Sequence, residues 1–363
     1  MADLKRVFYV KYLAHNNFID ILGTRSDIRV DKLENDSPDD VAAPVLAGAH
    51  AFQIGSARDE LAKKYHADRD LLRRTQSLLI VSTNGAGYDT VNLNACTDAG
   101  VLVVNQAGGN KEAVAEHALA MMLSLTKKIV ESDRATRRDK NLNRTLYIGH
   151  DLRYQTVGIV GLGNVGKRLA ELCRGLFSMR VLACDPYVPA DVMKANGAEK
   201  VELDELMQQA DFVSINCPLT DETRGMVGAK QYALMKPNAY FVTTARGSIH
   251  DEKALEEALR AKKIAGAGLD VWEKEPPPLE HPLLQFDNVI VTPHTAGVTR
   301  EARENMGRFA AEQMIAALDG KPVDRVLNPQ VWSRYAARFQ ETFGFAPERG
   351  SKIIGNGQAL SSV

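Results

Sequence analysis

Three glycines and an aspartate near the middle of the chain have the types and spacing that phosphate and ribose binding require. Gly161, Gly163 and Gly166 form a G-x-G-x-x-G sequence, and Asp185 follows Gly166 by 19 residues. In such a turn the first glycine allows a tight bend, the second lets backbone approach a pyrophosphate, and the third lets a helix pack closely on a strand. The helix N-terminus then presents N–H groups and its positive dipole end to the phosphates. The sequence therefore predicts a dinucleotide-binding turn.

Asp185 indicates which dinucleotide is favoured. A carboxylate at this distance accepts hydrogen bonds from a ribose 2′-OH, and Pro186, rather than an arginine suited to a 2′-phosphate, comes next. This predicts NAD in preference to NADP. A G-x-G-x-x-G sequence alone is a weak signal, because glycine turns also arise for steric reasons. Here a strand, the turn, a helix, a second strand and the acid follow one another in the order that binding needs.

Residues that could take part in binding or catalysis also follow four successive predicted strands downstream of the turn. They are Pro218, Arg246, Asp270 and His294. In an open parallel sheet, ligands bind outside the carboxyl ends of the strands. Arg246 could bind a carboxylate through its fork of N–H donors and polarise a neighbouring carbonyl. His294 titrates in the range needed to protonate the oxygen of a ketone that accepts a hydride. Together they fit hydride transfer at a carbonyl, although a surface arginine in a turn and a structural histidine are the alternatives that these residues leave open.

Two glutamates and one turn complete the candidates. A carboxylate bonded to His294 would favour its protonated form and fix its tautomer. Glu273 and Glu275 are equally good candidates for this role on chemistry alone. The turn at residues 84–87, Asn-Gly-Ala-Gly, follows another predicted strand and could bind an anion through its backbone N–H groups, although an ordinary turn explains it as well.

The elements that must position these residues alternate between strands and helices. Apolar runs predict strands at 6–10, 78–82, 101–104, 157–160, 181–184, 211–215, 239–244, 266–269 and 289–292. Helices are predicted at 111–130, 251–261 and 300–318. The first of these is apolar on more than one face, which is typical of a buried helix, whereas the charged stretch 131–144 should be solvated. This alternation predicts an α/β protein with parallel sheets.

The bulk composition excludes several classes of protein. The chain has 363 residues, 45% hydrophobic and 25% charged, with a formal net charge of −1. Two domains fit this length, and nothing in the charge indicates a nucleic-acid or membrane surface. The four cysteines, which lack CxxC spacing, are predicted to be reduced thiols: Cys96, Cys173, Cys184 and Cys217. We also predict no metal site. With no signal peptide and no long apolar run predicted, we expect a cytoplasmic protein.

Taken in order, the motifs GLGNVG, NCPLTDETRG, TARG, GLDVWEKEPP and TPHTAG closely resemble those of the D-isomer-specific 2-hydroxyacid dehydrogenases. The resemblance covers residues 78–317, and residues 113–121 are similar to the long helix of that family. Tyr154 departs from the pattern, since relatives often have glycine there. The segment after residue 330 is longer than the core of the family needs.

The resemblance implies specific site residues. It implies a catalytic set of Arg246, Glu275 and His294, which selects Glu275 over Glu273. It implies that Asn84, Gly85, Ala86 and Arg246 bind the substrate. It implies a cofactor site made of Gly161, Gly163, Asn164, Val165, Gly166, Asp185, Pro218, Thr244, Ala245, Arg246, Asp270, His294 and Gly297.

The resemblance also implies an architecture of two Rossmann-like, doubly wound parallel-sheet domains. A discontinuous substrate (catalytic) domain would comprise residues 1–106 and 300–330, and an NAD-binding Rossmann domain residues 107–299. Residues 331–363 would form a C-terminal tail, and the protein would be a homodimer joined through the cofactor domains.

The function expected from this resemblance is NAD-dependent oxidation and reduction. A hydride would move between NAD(H) and a D-2-hydroxy acid or 2-keto acid such as 3-phosphoglycerate, hydroxypyruvate or glyoxylate. The alternative is a dinucleotide-sensing interaction protein like the family's corepressor relatives, which keep much of the same site but need a peptide-binding surface. Formate dehydrogenase is less favoured, because that branch places glutamine where Glu275 stands.

Overall fold

Two compact units make up the computed structural model, which describes residues 4–350, 353–355 and 358–360. The first unit combines residues 1–110 with 299–363, and the second is residues 111–298. A five-stranded sheet belongs to the first unit and a seven-stranded sheet to the second. Every pairing within these two sheets is parallel. The prediction of two doubly wound α/β domains, one of them discontinuous, is confirmed.

The first unit has the strand order β2-β1-β3-β4-β5. Its strands are β1 (Lys5–Val10), β2 (Ile28–Leu33), β3 (Ala51–Ile54), β4 (Ile80–Thr83) and β5 (Leu102–Val104). Its helices are α1 (Asn17–Leu22), α2 (Asp39–Gly48), α3 (Arg69–Arg74), α4 (Leu93–Asp98), α12 (Arg300–Leu318) and α13 (Trp332–Phe343), with 3-10 turns at Lys63–Tyr65 and Pro329–Val331. This order places a topological switch point between β1 and β3, the kind of position where ligands bind in doubly wound sheets.

Residues 332–343 are part of the first unit rather than of a separate tail. They form α13, and its Tyr335 and Phe339 are buried in one cluster with Met314 and Leu318 of α12. The four-residue spacing of the two aromatic residues puts both on one face of the helix, which explains the packing. Residues 353–355 and 358–360 pair as two short antiparallel strands, β13 (Ile353–Gly355) and β14 (Gln358–Leu360). The rest of the predicted tail beyond residue 350 lies outside the described residues.

The second unit has the strand order β12-β11-β10-β9-β6-β7-β8. Its strands are β6 (Thr156–Val160), β7 (Arg180–Cys184), β8 (Glu199–Lys200), β9 (Phe212–Ile215), β10 (Tyr240–Thr243), β11 (Gly266–Leu269) and β12 (Val289–Val291). Its helices are α5 (Lys111–Thr126), α6 (Ile129–Arg138), α7 (Asn164–Phe177), α8 (Ala190–Ala195), α9 (Leu203–Gln209), α10 (Ala229–Leu234) and α11 (Glu252–Arg260), with 3-10 turns at Arg144–Tyr147, Gly247–Ile249 and Pro282–Gln285. The order reverses between β6 and β9, which is the dinucleotide-binding position of a Rossmann sheet.

The long helix predicted at 111–130 is two helices in the structure. The buried helix α5 ends at Thr126, because Lys128 adopts a left-handed conformation with φ +52° that interrupts the helical hydrogen bonding. The following helix, α6, has no buried residue, as its charged sequence predicts. Within the second unit, α5 packs on α7 and on strands β10 and β11. Tyr154, where glycine was expected, has a positive φ of +65°.

Among the described residues, no helix combines the length and the apolar character that crossing a lipid bilayer would require.

Candidate active site

The glycine turn between β6 and α7 has the shape that a dinucleotide needs. Gly161 has φ +93°, and a Cβ there would lie 2.6 Å from the backbone nitrogen of Cys217. A Cβ on Gly166 would lie 2.2 Å from the carbonyl oxygen of Gly161, so α7 can approach the turn only without a side chain. A Cβ on Gly163 would meet nothing within 4 Å, which leaves that side of the turn open to a ligand. The three glycines therefore have three different steric roles.

Asp185 follows β7 and holds the same turn. Its Oδ2 accepts a hydrogen bond from the N–H of Leu162 at 3.0 Å, and its Oδ1 accepts one from the N–H of Tyr187 at 3.0 Å. Asn164 and Val165 form the first turn of α7, whose cap Gly163 contributes no side-chain hydrogen bond. The helix N-terminus thus presents its positive end beside a fixed carboxylate, an arrangement that fits a pyrophosphate and a ribose.

His294 and Glu275 form a carboxylate–imidazole pair. The His294 Nδ1 lies 2.7 Å from Glu275 Oε2, and the other carboxylate oxygen accepts a hydrogen bond from the N–H of Trp272 at 3.0 Å. The hydrogen bond to Glu275 raises the pKa of His294 above its ordinary value, although burial opposes this. Burial alone would raise the pKa of Glu275, but hydrogen bonding and attraction to His294 lower it overall. The pair therefore favours a protonated imidazole and an ionised carboxylate.

The backbone at His294 is held in an unusual conformation. His294 has φ +56°, a left-handed value that costs a non-glycine residue on the order of 1 kcal/mol or more. Its N–H donates to the carbonyl oxygen of Asp270 at 2.7 Å, which ties it to the end of β11. Such strain persists only where the surroundings impose it, and it concentrates at functional sites.

Asp270 organises the loop that carries His294. Its carboxylate is fully buried and accepts hydrogen bonds from the Thr292 hydroxyl at 2.6 Å and from the N–H groups of Thr295 at 2.8 Å and Ala296 at 3.0 Å. The Thr292 hydroxyl also lies 3.1 Å from His117 Nε2 of α5. Three donors on one buried carboxylate fix the loop from residue 292 to 296.

Arg246 follows β10, between Ala245 and Gly247, and Thr244 before it is buried. One guanidinium nitrogen donates to the Ala245 carbonyl oxygen at 2.7 Å. Its positive charge helps to lower the pKa of Glu275 and opposes the increase in the pKa of His294. Arg246 is therefore close enough to both members of the pair to act on them electrostatically.

The remaining predicted cofactor residues lie at the same edge of the sheet. Pro218 follows β9 and is exposed, and its carbonyl oxygen accepts a hydrogen bond from the Thr223 hydroxyl at 2.7 Å. Gly297 follows Ala296 in the loop held by Asp270. Because β6, β9, β10, β11 and β12 are neighbouring parallel strands, the residues after them share the carboxyl edge of the sheet. No group of three or more His, Cys, Asp or Glu side chains in the described part of the chain is arranged to hold a metal ion.

In the first unit, the turn after β4 is held by buried amides. The N–H of Gly85 donates to Gln106 Oε1 at 2.8 Å, so this group is already engaged within the protein. Gln53 donates to Asn84 Oδ1 at 2.8 Å, and Asn105 donates to the carbonyl oxygen of Ala86 at 2.9 Å. Among the described residues, Asn84 Nδ2 is buried without a hydrogen-bond partner.

Sequence reasoning missed several residues that support these sites. They are Gln53 and Gln106 beneath the turn of the first unit, and His117, Glu252 and Thr292 around the loops of the second. Thr292 precedes the Pro293-His294 pair, so a hydroxyl beside a candidate catalytic residue was an available signal. The others are separated from their partners by at least 20 residues and had no local signal.

Comparison with known proteins agrees with this geometry. Residues 119–296 match the family model described as "D-isomer specific 2-hydroxyacid dehydrogenase, NAD binding domain". This match covers the glycine turn and the loops that carry Arg246, Glu275 and His294. The chain thus carries the NAD-binding domain of that family.

Individual relatives extend the similarity to the first unit. The chain is 40% identical over 288 residues to a D-3-phosphoglycerate dehydrogenase of Archaeoglobus fulgidus, covering 76% of this chain and 54% of the relative. It is 35% identical over 321 residues to a glyoxylate/hydroxypyruvate reductase B of Pectobacterium carotovorum, covering 88% of this chain and 98% of the relative. The chain therefore spans about half the length of the archaeal relative and almost the whole of the bacterial one.

A solved structure shows the same architecture. The D-lactate dehydrogenase from Aquifex aeolicus, complexed with NAD and lactic acid, superposes with a TM-score of 0.74 and 26% identity, over 86% of this chain and 96% of that one. The family model and the relatives indicate the same family. The chain belongs to the D-isomer specific 2-hydroxyacid dehydrogenase family.

Proposed function

We propose that this protein is an NAD-dependent oxidoreductase that interconverts a D-2-hydroxy acid and the corresponding 2-keto acid. The observation that carries the proposal is the 2.7 Å contact between His294 and Glu275 at the sheet edge that also holds the glycine turn. An imidazole that is paired with a carboxylate, on a backbone held at a positive φ, is suited to general acid–base work rather than to packing.

His294 is the proposed proton donor and acceptor. In reduction its imidazolium would protonate the carbonyl oxygen of the keto acid, and in oxidation its neutral imidazole would remove the hydroxyl proton. Because Glu275 binds Nδ1, the other ring nitrogen is the one that would face the substrate oxygen. The raised pKa keeps the acid form populated to higher pH, which favours the reductive direction near neutrality.

Arg246 is proposed to bind the substrate carboxylate and to polarise the carbonyl that is reduced. In the first unit, we propose Asn84 and Ala86 as substrate-binding residues that act through side-chain and backbone N–H groups. The buried Asn84 Nδ2 without a partner supports this assignment, since an unmet donor in a buried site suits a ligand oxygen. The N–H of Gly85 already donates to Gln106, so the role proposed for Gly85 does not include donating this N–H to the substrate.

The glycine turn and Asp185 are proposed to hold NAD. The nicotinamide, when bound, supplies or accepts the hydride at the carbonyl carbon. Gly161 would allow the tight bend, Gly163 would let the backbone approach the pyrophosphate, and Gly166 would let α7 pack against the turn. Asp185 would accept hydrogen bonds from the ribose hydroxyls. The further cofactor contacts proposed are Asn164, Val165, Pro218, Thr244, Ala245, Arg246, Asp270, His294 and Gly297.

The substrate class follows from the names of the relatives. These name D-3-phosphoglycerate and glyoxylate or hydroxypyruvate as the compounds on which the relatives act. We propose a small 2-keto or 2-hydroxy acid of this kind, with the first unit as the substrate domain. The curated relatives carry enzyme names, so catalysis is favoured over the sensing role of an interaction protein.

We also propose a homodimer and a cytoplasmic location. Exposed apolar side chains lie close together in sequence in the second unit, with Ile129, Leu146 and Ile148 each more than half exposed. Such a concentration is typical of a subunit interface. The four cysteines are all free, as expected in a reducing compartment.

A substrate panel tests the proposed function. The purified protein is mixed with NADH or NADPH and with glyoxylate, hydroxypyruvate, pyruvate and 3-phosphohydroxypyruvate, and the loss of absorbance at the nicotinamide band is followed. We expect steady turnover of at least one keto acid with NADH, and slower turnover with NADPH. Tight NADH binding without turnover of any member of the panel would contradict the proposal and favour the sensing alternative.

A further inference from the structure

A second carboxylate–imidazole pair contacts the loop that carries Glu275. Glu252, the first residue of α11, is only 9% exposed, and its Oε2 lies 3.1 Å from His281 Nε2. His281 Nδ1 accepts a hydrogen bond from the N–H of Leu283 at 3.3 Å. Since Nδ1 is an acceptor, Nε2 carries the proton and donates a hydrogen bond to Glu252 Oε2. Both side chains are therefore held in one orientation.

The other oxygen of Glu252 binds the backbone of the loop that carries Glu275. Glu252 Oε1 accepts a hydrogen bond from the N–H of Glu273 at 2.7 Å. The preceding N–H, that of Trp272, donates to Glu275 at 3.0 Å. Two successive N–H groups are thus bound by two carboxylates, one of which is the proposed partner of His294. A shift of this backbone would move Glu275 directly.

The loop that carries Arg246 packs directly against the same backbone. A Cβ on Gly247 would lie 1.9 Å from the carbonyl carbon of Trp272 and 2.4 Å from the nitrogen of Glu273. The peptide between Trp272 and Glu273 therefore sets the spacing between Arg246 and Glu275. His281 packs edge-on against the Trp272 ring, with 5.3 Å between the ring centroids. His281 therefore contacts the Trp272 side chain in addition to its hydrogen bond with Glu252.

Helix capping does not account for Glu252. The N-cap of α11 is Asp251, whose Oδ1 accepts from the N–H of Ala254 at 2.9 Å. Both Glu252 oxygens instead bind groups outside the helix, on the Glu273 backbone and the His281 ring. A buried carboxylate whose two oxygens both bind groups outside its own helix stabilises the neighbouring loop rather than the helix.

We infer that Glu252 and His281 form a positioning pair, which holds the Trp272–Glu273 peptide and thereby keeps Glu275 in contact with His294 and spaced from Arg246. This inference rests on the proposed function only in its effect on catalysis. Its structural consequence is that the environment of His294, set by Glu275, Arg246 and Asp270, depends on Glu252 without direct contact.

The test compares Glu252→Ala with Glu252→Gln and with the matched control Glu257→Gln, an exposed glutamate on the same helix. Loss of the Glu252 acceptor should lower kcat for the keto acid on the order of 10-fold to 100-fold, because small displacements of a catalytic group have effects of this size. The KM for NADH should change less than about twofold, and Glu252→Gln, which keeps an acceptor for Glu273, should recover most of the activity. Glu257→Gln should behave as the wild type.

A readout independent of turnover separates this inference from the proposed function. The pKa of the His294 ring is measured by NMR titration, with His294→Gln used to assign its signal. In Glu252→Ala the pKa should fall, since Glu275 is no longer held against the ring. If the wild type turns over no keto acid, the proposed function fails, but the titration still decides the positioning role.

The role is overturned if Glu252→Ala lowers thermal stability while kcat and the His294 pKa stay at wild-type values. If Glu252→Ala does not fold, His281→Phe takes its place, because phenylalanine keeps the edge contact with Trp272 and removes the N–H that holds Glu252. A folded His281→Phe with a lowered His294 pKa supports the pair. Wild-type kcat and an unshifted titration in that variant exclude it.

Discussion

The loops around His294 and the turn around Asn84 are both held by polar side chains, but these side chains differ in kind. In the second unit the supporting groups are charged or titratable, with Glu275 on His294 and Asp270 beneath the same loop. In the first unit the supporting groups are neutral amides, with Gln106 on the N–H of Gly85 and Gln53 on Asn84. Both arrangements fix backbone, but only the first can change charge with pH.

This difference agrees with the chemistry proposed for each unit. A group that exchanges a proton needs neighbours that adjust its pKa, and charges at short distance in a partly buried site do so strongly. A turn that binds a carboxylate needs donors whose number does not vary with pH, and amides provide them. Substitutions of the groups that surround His294 should therefore change pH profiles, and substitutions of the amides that hold the Asn84 turn should not.

The largest effect is expected for His294→Gln, which removes the proposed acid and base. Without a positioned proton donor, kcat for keto-acid reduction should fall on the order of 10²-fold to 10⁴-fold. NADH binding, measured by fluorescence titration, should weaken far less than kcat falls, because the glycine turn and Asp185 are untouched. A variant that retains activity with the wild-type pH profile would remove His294 from the mechanism.

Glu275→Gln should have the next largest effect and should displace the pH profile. The Glu275 carboxylate raises the pKa of His294, so its neutralisation lowers that pKa. Reductive kcat/KM, which needs protonated His294, is lost as pH rises through this pKa, and the loss should therefore begin at lower pH in the variant. Glu273→Gln is the matched control, since the Glu273 side chain is exposed and does not contact His294 in the structure. An unshifted alkaline limb in Glu275→Gln would contradict the assignment.

Asp185→Asn tests a charged group of the second unit that has no role in proton transfer. The substitution removes the negative charge beside the ribose site, so the KM for NADH should rise about tenfold, equivalent to about 1.4 kcal/mol. The preference for NADH over NADPH should fall at the same time, because a 2′-phosphate is no longer repelled. The exposed Asp191→Asn on α8 provides the control. An unchanged cofactor preference would show that Asp185 holds only the turn.

Gln106→Met tests the neutral side of the comparison. Methionine approximates the volume of glutamine but leaves the buried N–H of Gly85 without its acceptor, at a cost of about 1 to 3 kcal/mol in stability. If the turn binds the substrate carboxylate, the KM for the keto acid should rise about threefold to tenfold with little change in the pH profile. The exposed Gln76→Met is the control in the same unit. A shifted pH profile in Gln106→Met would break the distinction between the two units.

The smallest effect is a pH-dependent difference in thermal stability. The folded-state pKa of His294 is raised, so its pairing with Glu275 stabilises the folded protein fully below the unfolded pKa and loses this contribution as pH rises through the folded pKa. The Tm difference between wild type and His294→Gln should therefore be greater at pH 6 than at pH 9. Because 36% of the His294 side chain is exposed, solvent screening keeps this difference small. The Tm difference for Gln106→Met should be the same at both pH values.

Local sequence signals predicted six of the seven strands of the second unit and missed only the two-residue β8. The strands at 157–160, 181–184 and 266–269 are apolar runs bounded by turn residues, and the structure has strands at all three. The first unit was harder, since β2 and β3 were not predicted. β2 reads Ile-Arg-Val-Asp-Lys-Leu at the sheet edge, where polar residues face solvent, and β3 has only four residues, one of them the buried Gln53.

Glu252 shows why part of the site could not be predicted. In the sequence it is an acid in the first turn of a helix, which the helix dipole explains. In the structure it is buried and bound to Glu273 and His281, which lie 21 and 29 residues further along the chain. No local pattern carries information about such partners, because strand order and loop packing bring them together.

The sequence by itself determined the family, the parallel-sheet architecture, the dinucleotide turn at Gly161 and the strand ends that carry Arg246, Asp270 and His294. These follow from short-range periodicity and from glycine and proline at fixed offsets, which act within a few residues. Chemistry alone left Glu273 and Glu275 open, the family resemblance implied Glu275, and the structure places Glu275 on His294. Only the tertiary structure decided that His294 has a left-handed backbone and that Gln106 already uses the N–H of Gly85. Those outcomes depend on long-range packing, which sets distances that no local sequence pattern encodes.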